Sequence, residues 1–139
     1  MNIMCDTNVI LDVFLDREPF SEDSSKVLDR CALHIWTGFT TASCITDIYY
    51  FVHKYLHDHD ATYDALGQVF NILNVCNVTA DNIASAYQHR AKDFEDCLLA
   101  VCAKSINCDC IVTRNKKDFA EFGIPTYTPT EILRMEIPS

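Results

Sequence analysis

Glycine and proline are scarce in this chain, at 3 and 4 of 139 residues. That scarcity excludes collagen-like, elastic and Pro/Gly-rich disordered sequences. Basic side chains are also few: 11 Lys and Arg stand against 20 Asp and Glu, a net charge of −9. Such a balance argues against a protein that grips nucleic acid through a broad basic face. It leaves chemistry on nucleic acid open, because divalent cations neutralise carboxylates that would otherwise repel phosphate. No apolar run approaches the roughly 20 residues that span a bilayer. The opening MNIMCDTN has neither a basic region nor an apolar stretch of signal length, so a cytoplasmic protein without membrane contact is expected. With no repeat and no linker, residues 1–139 read as a single domain long enough to bury its own core.

Cysteine is plentiful, with 8 residues, but there is no CxxC pair, only Cys108-Asp-Cys110. In a chain with no secretion signal and an adequate core, these read as reduced thiols rather than a disulfide framework or a zinc site. Cys5 and Cys110 fall in strand-like runs, and Cys44, Cys97 and Cys102 in helical ones, where a thiol acts as a small apolar group.

Patterning gives alternating elements. Ile3–Cys5 reads as a buried strand, followed by a helix over 8–15 with Asn8 as N-cap and a second helix over 22–33. A second strand is expected over His34–Phe39. Ile45, Ile48, Tyr49, Val52 and Leu56 then mark a helix between Thr41 and His57, and another spans 60–73. A strand over 75–78, a helix capped by Thr79, a buried helix over 94–106, a strand over 110–113 and a short helix near 116–121 follow. The chain closes with a strand over 125–127 and a helix opened by Thr128-Pro-Thr-Glu131, which has capping-box spacing. Strands repeatedly separated by helices imply a three-layer α/β/α sandwich around a mainly parallel, five-stranded sheet. Sites in such folds lie at the carboxyl ends of strands, where strand order reverses.

Acids collect at that edge. Asp6 ends the first strand, and Asn115 and Asp118 follow the strand ending at Thr113. Asp93 and Asp96 begin the helix leading into that strand, and Asp47 lies near the start of the helix after the second strand. Taken singly, Asp93 and Asp96, or Asn115 and Asp118, fit helix caps and first-turn acids. Asp6 resists that reading, because a carboxylate ending a buried strand is costly to desolvate unless paired or metal-bound. Carboxylates without His or Cys partners favour Mg²⁺ or Mn²⁺, and hence metal-assisted phosphodiester hydrolysis.

Three runs carry a family resemblance. Met4-Cys-Asp-Thr-Asn-Val-Ile-Leu-Asp12 resembles the DTNVLLD opening of PIN-domain proteins. Asp93-Phe-Glu-Asp-Cys-Leu-Leu-Ala100 resembles their third motif, and Ile111-Val-Thr-Arg-Asn-Lys-Lys-Asp-Phe119 their TRNxxDF fourth. The resemblance implies a ribonuclease with catalytic acids at Asp6, Asp47, Asp96 and Asp118, of which Asp6, Asp96 and Asp118 would hold Mg²⁺ or Mn²⁺. Asp47 stands where the family more often has Glu, one methylene longer, which suits a water-bridged role. Thr7, Asn8, Thr113 and Asn115 look like supporting polar groups, with Asp12 and Asp93 as acids behind them. The family also implies an antitoxin partner that blocks the pocket, and a homodimer is expected.

Arg90, Lys92, Arg114, Lys116 and Lys117 flank the third and fourth motifs; Arg114, Lys116 and Lys117 are expected to bind the RNA backbone. Tyr49, Tyr50, Phe51 and Tyr55 suit core or dimer packing better than base stacking, and His53, His57 and His59 suit a solvated face better than a metal site. The function expected is an endoribonuclease acting on single-stranded or structured RNA, as the toxin of a toxin–antitoxin pair. The alternative is an inactive PIN fold that binds RNA or protein. A haloacid-dehalogenase-like phosphatase would need a second Asp where Asn8 stands, and a receiver would need a phospho-acceptor Asp where Val78 and Thr79 stand.

Overall fold

Ile3, Met4 and Cys5 are wholly buried because the strand they form lies at the centre of a sheet covered on both faces. The structure is a computed structural model that describes residues 1–135. In chain order its elements are β1 (Asn2–Cys5), α1 (Thr7–Phe14), α2 (Ser21–Ala32), β2 (Thr37–Thr41), α3 (Ala42–Leu56), α4 (His59–Ile72) and β3 (Asn74–Cys76). Then come α5 (Ala80–His89), α6 (Phe94–Ser105), β4 (Cys110–Val112), a 3-10 helix (Lys116–Phe122), β5 (Thr126–Tyr127) and α7 (Pro129–Arg134).

The sheet has five strands, all parallel, in the order β3-β2-β1-β4-β5. Met4 is paired with Phe39 on one side and Ile111 on the other. Helices α1 to α4 and α7 pack among themselves, as do α5, α6 and the 3-10 helix, so the two groups cover opposite faces. From β1 the chain first winds outward to β2 and β3, then returns across the sheet to β4 and β5. The order therefore reverses between β1 and β4, and their carboxyl ends flank the crevice that this topology leaves open.

Local chemistry sets the boundaries. The first helix begins at Thr7, and its N-cap is Asp6, which accepts from Thr7 N at 2.7 Å. Asn8 does not cap it, because its amide is engaged by Thr113 and the backbone of Arg114. The second strand starts at Thr37 rather than His34. Ile35 N and Trp36 N both donate to Arg30 O, so residues 34–36 wrap the end of α2 before Thr37 N reaches Met1 O. Gly38 sits where a Cβ would lie 2.5 Å from Leu73 and 2.6 Å from the Cys31 sulfur, so only glycine permits this approach of β2 to its helices. All eight cysteines are free and buried. Burial pushes the thiols of Cys102, Cys108 and Cys110 up to about 12, consistent with their role as small apolar groups. Thr79 and Thr128 both form capping boxes, with Asn82 and Glu131.

One ion pair ties α1 to the loop after β4. Asp12 is fully buried and accepts from Arg114 Nε at 2.7 Å and from Ser24 Oγ at 3.2 Å. The Arg114 guanidinium also lies 4.0 Å from the centre of the Phe20 ring. Removing Arg114 would leave a buried carboxylate uncompensated. Arg114→Ala is expected to cost about 3 kcal/mol in urea unfolding, with part recovered when Asp12→Asn is added. A loss below about 1 kcal/mol would show that the pair does not fasten the loop.

Candidate active site

The carboxyl end of β1 delivers Asp6 into the crevice, where Asp6 N still completes the ladder to Val112 O at 3.0 Å. Its two carboxylate oxygens are held separately: Oδ1 accepts from Thr7 N at 2.7 Å and Oδ2 from Thr113 Oγ1 at 2.8 Å. The same Thr113 hydroxyl accepts from Asn8 Nδ2 at 3.2 Å and from Asn115 N at 3.1 Å. Asn8 Oδ1 in turn accepts from Arg114 N at 3.3 Å. The start of α1 and the turn after β4 are thus joined by one polar network around Asp6.

Two other helices complete the cleft. At the start of α6, Asp93 caps the helix by accepting from Asp96 N at 3.0 Å, while Glu95 and Asp96 face the cleft from the first turn. On α3, Thr41 caps the helix, and Cys44, Asp47 and Phe51 occupy the strip facing the cleft at helical spacing. Leu11, Leu98 and Leu99 supply apolar lining, and the volume is about 300 Å³. Asn115 lines the cleft, whereas Asp118 stays solvent-exposed just outside it, with its N–H bonded to Asn115 O at 3.0 Å.

Crowding the acids raises their hold on protons. Desolvation moves Asp6 up despite its two hydrogen bonds, and the charges of Asp93 and Asp118 add to this. Asp96 is pushed up to about 7, first by desolvation and then by Asp93, Asp6 and Asp118. Glu95 is raised chiefly by a hydrogen bond to Asp47 across the cleft, with desolvation second. Each of these groups is short of positive charge.

A family model described as the PIN domain matches residues 2–117. The chain belongs to the PIN-domain family. Among solved structures it is similar to a toxin–antitoxin complex from Klebsiella pneumoniae, with 25% identity and a TM-score of 0.66 over 93% of this chain and 98% of that one. It is also similar to VapBC2 from Rickettsia felis bound to a promoter DNA fragment, with 17% identity and a TM-score of 0.68 over 92% and 98%. A third likeness is to Mycobacterium tuberculosis VapC20, a sarcin-ricin loop cleaving toxin, with 14% identity and a TM-score of 0.62 over 78% and 86%. Among curated proteins, none matches the chain. The chain therefore has the PIN-domain fold, which these toxin–antitoxin structures share.

In this PIN domain the sequence-derived acids do not stand alike. Asp6, Asp47 and Asp96 line the cleft; Asp118 acts on Asp6 and Asp96 through its charge from outside. Thr7, Asn8, Thr113 and Asn115 form the network around Asp6, and Asp93 serves as a cap. Of the three basic residues expected at the RNA backbone, Arg114 is committed to Asp12 and Phe20, and Lys116 is paired with Glu131 at 2.9 Å. Lys117 is exposed. Asp12, expected behind the catalytic acids, faces Ser24 and Arg114 instead. Sequence reasoning missed Glu95 and Arg17, both of which line the cleft. Glu95 could have been found, since it directly precedes Asp96 in the first turn of α6; Arg17 lies in a loop whose path no pattern encodes.

The donor set suits a hard divalent cation: carboxylates with raised proton affinity, surrounded by hydroxyl and amide oxygens. Among the described residues, no three His, Cys, Asp or Glu side chains converge into a ready-made cage. Such an open arrangement fits an ion that keeps several waters and completes its shell with substrate oxygens.

Asp96 also links this site to stability. Its pKa is higher folded, at about 7, than unfolded, so the folded state binds more protons between these values. In metal-free protein, stability should therefore fall as pH rises from about 4 to about 7. Asp96→Asn removes this penalty. Discounted for partial exposure, the gain is on the order of 1 kcal/mol, and the variant should melt about 2–4 °C higher than wild type at pH 8 in EDTA. The difference should vanish near pH 4; a variant that melts lower at pH 8 would contradict the charge crowding.

Proposed function

We propose that this PIN domain is a divalent-metal-dependent endoribonuclease that hydrolyses phosphodiester bonds in single-stranded or structured RNA. In this reading it is the toxin of a toxin–antitoxin pair, working with Mg²⁺ or Mn²⁺. The observation that carries the reading is the convergence of Asp6 and Asp96 in one cleft, both with raised proton affinity and without a basic partner of their own. Asp6 and Asp96 would hold the ion, with Asp118 contributing from the rim and Asp47 through water. When bound, the ion supplies Lewis-acid activation of water and neutralises charge on the phosphate. Thr113 and the Thr7 N–H fix both oxygens of Asp6, so the carboxylate keeps its orientation when substrate arrives. Leu11, Leu98 and Leu99 limit water in the cleft and strengthen each electrostatic contact there.

Support for the toxin assignment comes from the fold shared with the toxin–antitoxin complex from Klebsiella pneumoniae and with VapBC2. The natural partner is then an antitoxin that occupies the cleft. A second copy of the chain is also proposed as a partner, with Tyr50 and Tyr55, exposed on α3, as its contact.

Purified protein should cut single-stranded RNA in Mg²⁺ or Mn²⁺ and lose this activity in EDTA. Asp6→Asn and Asp96→Asn should each lower the rate by at least about 100-fold, the scale of losing a preorganised electrostatic group. Equal activity in wild type and both variants would sink the assigned site. Tight RNA binding without cleavage by the wild type would favour the inactive binding module.

A further inference from the structure

Two residues of the cleft have no part in holding a cation. Among the described residues that line it, Arg17 carries the only basic side chain and Phe51 the only aromatic one. Arg17 is held in place through its backbone: its N–H donates to Asp12 O at 3.0 Å, and its carbonyl accepts from Phe20 N at 2.9 Å and Ser21 N at 2.8 Å. Its guanidinium, by contrast, makes no hydrogen bond or ion pair among the described residues, although four carboxylates share the same cleft. Arg114 shows what a structural arginine looks like here, locked at 2.7 Å to Asp12 and stacked on Phe20. A half-buried arginine with a fixed base and an unengaged head is arranged for an anion from outside.

Phe51 stands one helical turn beyond Asp47 on the strip of α3 that faces the cleft, and 40% of its surface is exposed. Its ring meets that of Tyr50 edge-on at 5.2 Å, and its exposed surface on the cleft side can take a flat partner. Anion and flat ring belong together in a nucleotide.

We propose that Arg17 and Phe51 form a nucleotide subsite beside the acidic centre. Arg17 binds a phosphate of the RNA next to the one being cut, and Phe51 stacks the base attached to it. The subsite selects unpaired RNA, because a base must leave its own helix to lie on Phe51, and stacking of this kind tolerates any base. It rests on the ribonuclease reading and narrows its substrate to single-stranded segments. It also explains how a chain of net charge −9 engages RNA, through one guanidinium at the cleft and cations within it.

The test is binding of a fluorescein-labelled, ten-nucleotide single-stranded RNA by anisotropy across a salt series with Ca²⁺ present, with cleavage in Mn²⁺ measured separately. Arg17→Ala should weaken binding about 10-fold and reduce the slope of log affinity against log salt by about 0.7. Arg17→Lys should restore the slope but only part of the affinity. Phe51→Ala should weaken binding about 10-fold without changing the slope, while Phe51→Trp keeps it. Affinity for the same sequence as a duplex should not respond to Phe51→Ala. Melting temperatures matching wild type confirm that these positions act through RNA.

Wild-type affinity and slope in both alanine variants would overturn the subsite, as would an equal loss for duplex and single strand in Phe51→Ala. If those variants bind normally while wild type still cuts RNA, the subsite falls and the ribonuclease stands. If binding responds as expected but nothing is cut in Mn²⁺, the subsite stands and the ribonuclease falls. Failure of the wild type to bind the RNA overturns both.

Discussion

The hydroxyl of Thr113 uses its whole bonding capacity on the active-site frame: it donates to Asp6 Oδ2 and accepts from Asn8 Nδ2 and Asn115 N. These three contacts join the end of β1 and the first turn of α1 to the turn after β4, more than a hundred residues further along the sequence. Asp6 needs this arrangement, since it ends a strand whose preceding residues are fully buried and its charge is opposed by desolvation. Two donors per carboxylate reduce that cost without removing it, so Asp6 remains both fixed and short of positive charge. Fixing and starving one carboxylate together is what makes the crevice useful.

Arg114 does not neutralise the acids from inside. Arg114, next in sequence to Thr113, turns toward Asp12 and Phe20 and anchors the loop's backbone. Had it turned inward, it would have satisfied Asp6 and closed the site to cations. Asp12 thus contributes indirectly: it holds Arg114 where the Thr113 and Asn115 contacts can form but the charge is kept away. The role expected for Arg114 at the RNA backbone therefore competes with an ion pair already made, whereas the Arg17 guanidinium has no such commitment among the described residues.

The sheet and its active edge were legible in the sequence because parallel central strands are buried on both faces and read as short continuous apolar runs. Ile3–Cys5 and Cys110–Val112 are such runs. β2 was less legible: His34, Ile35 and Trp36 look like strand residues, but the end of α2 captures their N–H groups first. Asn8 looked like a cap for the same kind of reason, and a contact 105 residues away diverts it. The acids at Asp6, Asp47 and Asp96 could be placed from topology alone, since the carboxyl edge is one location for all of them. The walls of the cleft could not. Arg17 depends on how the loop between α1 and α2 folds back, and Phe51 depends on the rotation of α3 about its axis, which puts it with Asp47 in the cleft and Tyr50 outside.

The second acidic position shows how the chain adapts its pattern. Asp47 is shorter by one methylene than the Glu the family more often carries there. Glu95 reaches toward it from α6, and the hydrogen bond between them raises the proton affinity of Glu95. A divalent cation held by Asp96 would compete with protons for the same oxygens. The competition weakens as pH rises through about 7, where Asp96 gives up its proton. The crowding that opposes the charged form of Asp96 at neutral pH is thus the property that would favour a divalent ion in the cleft.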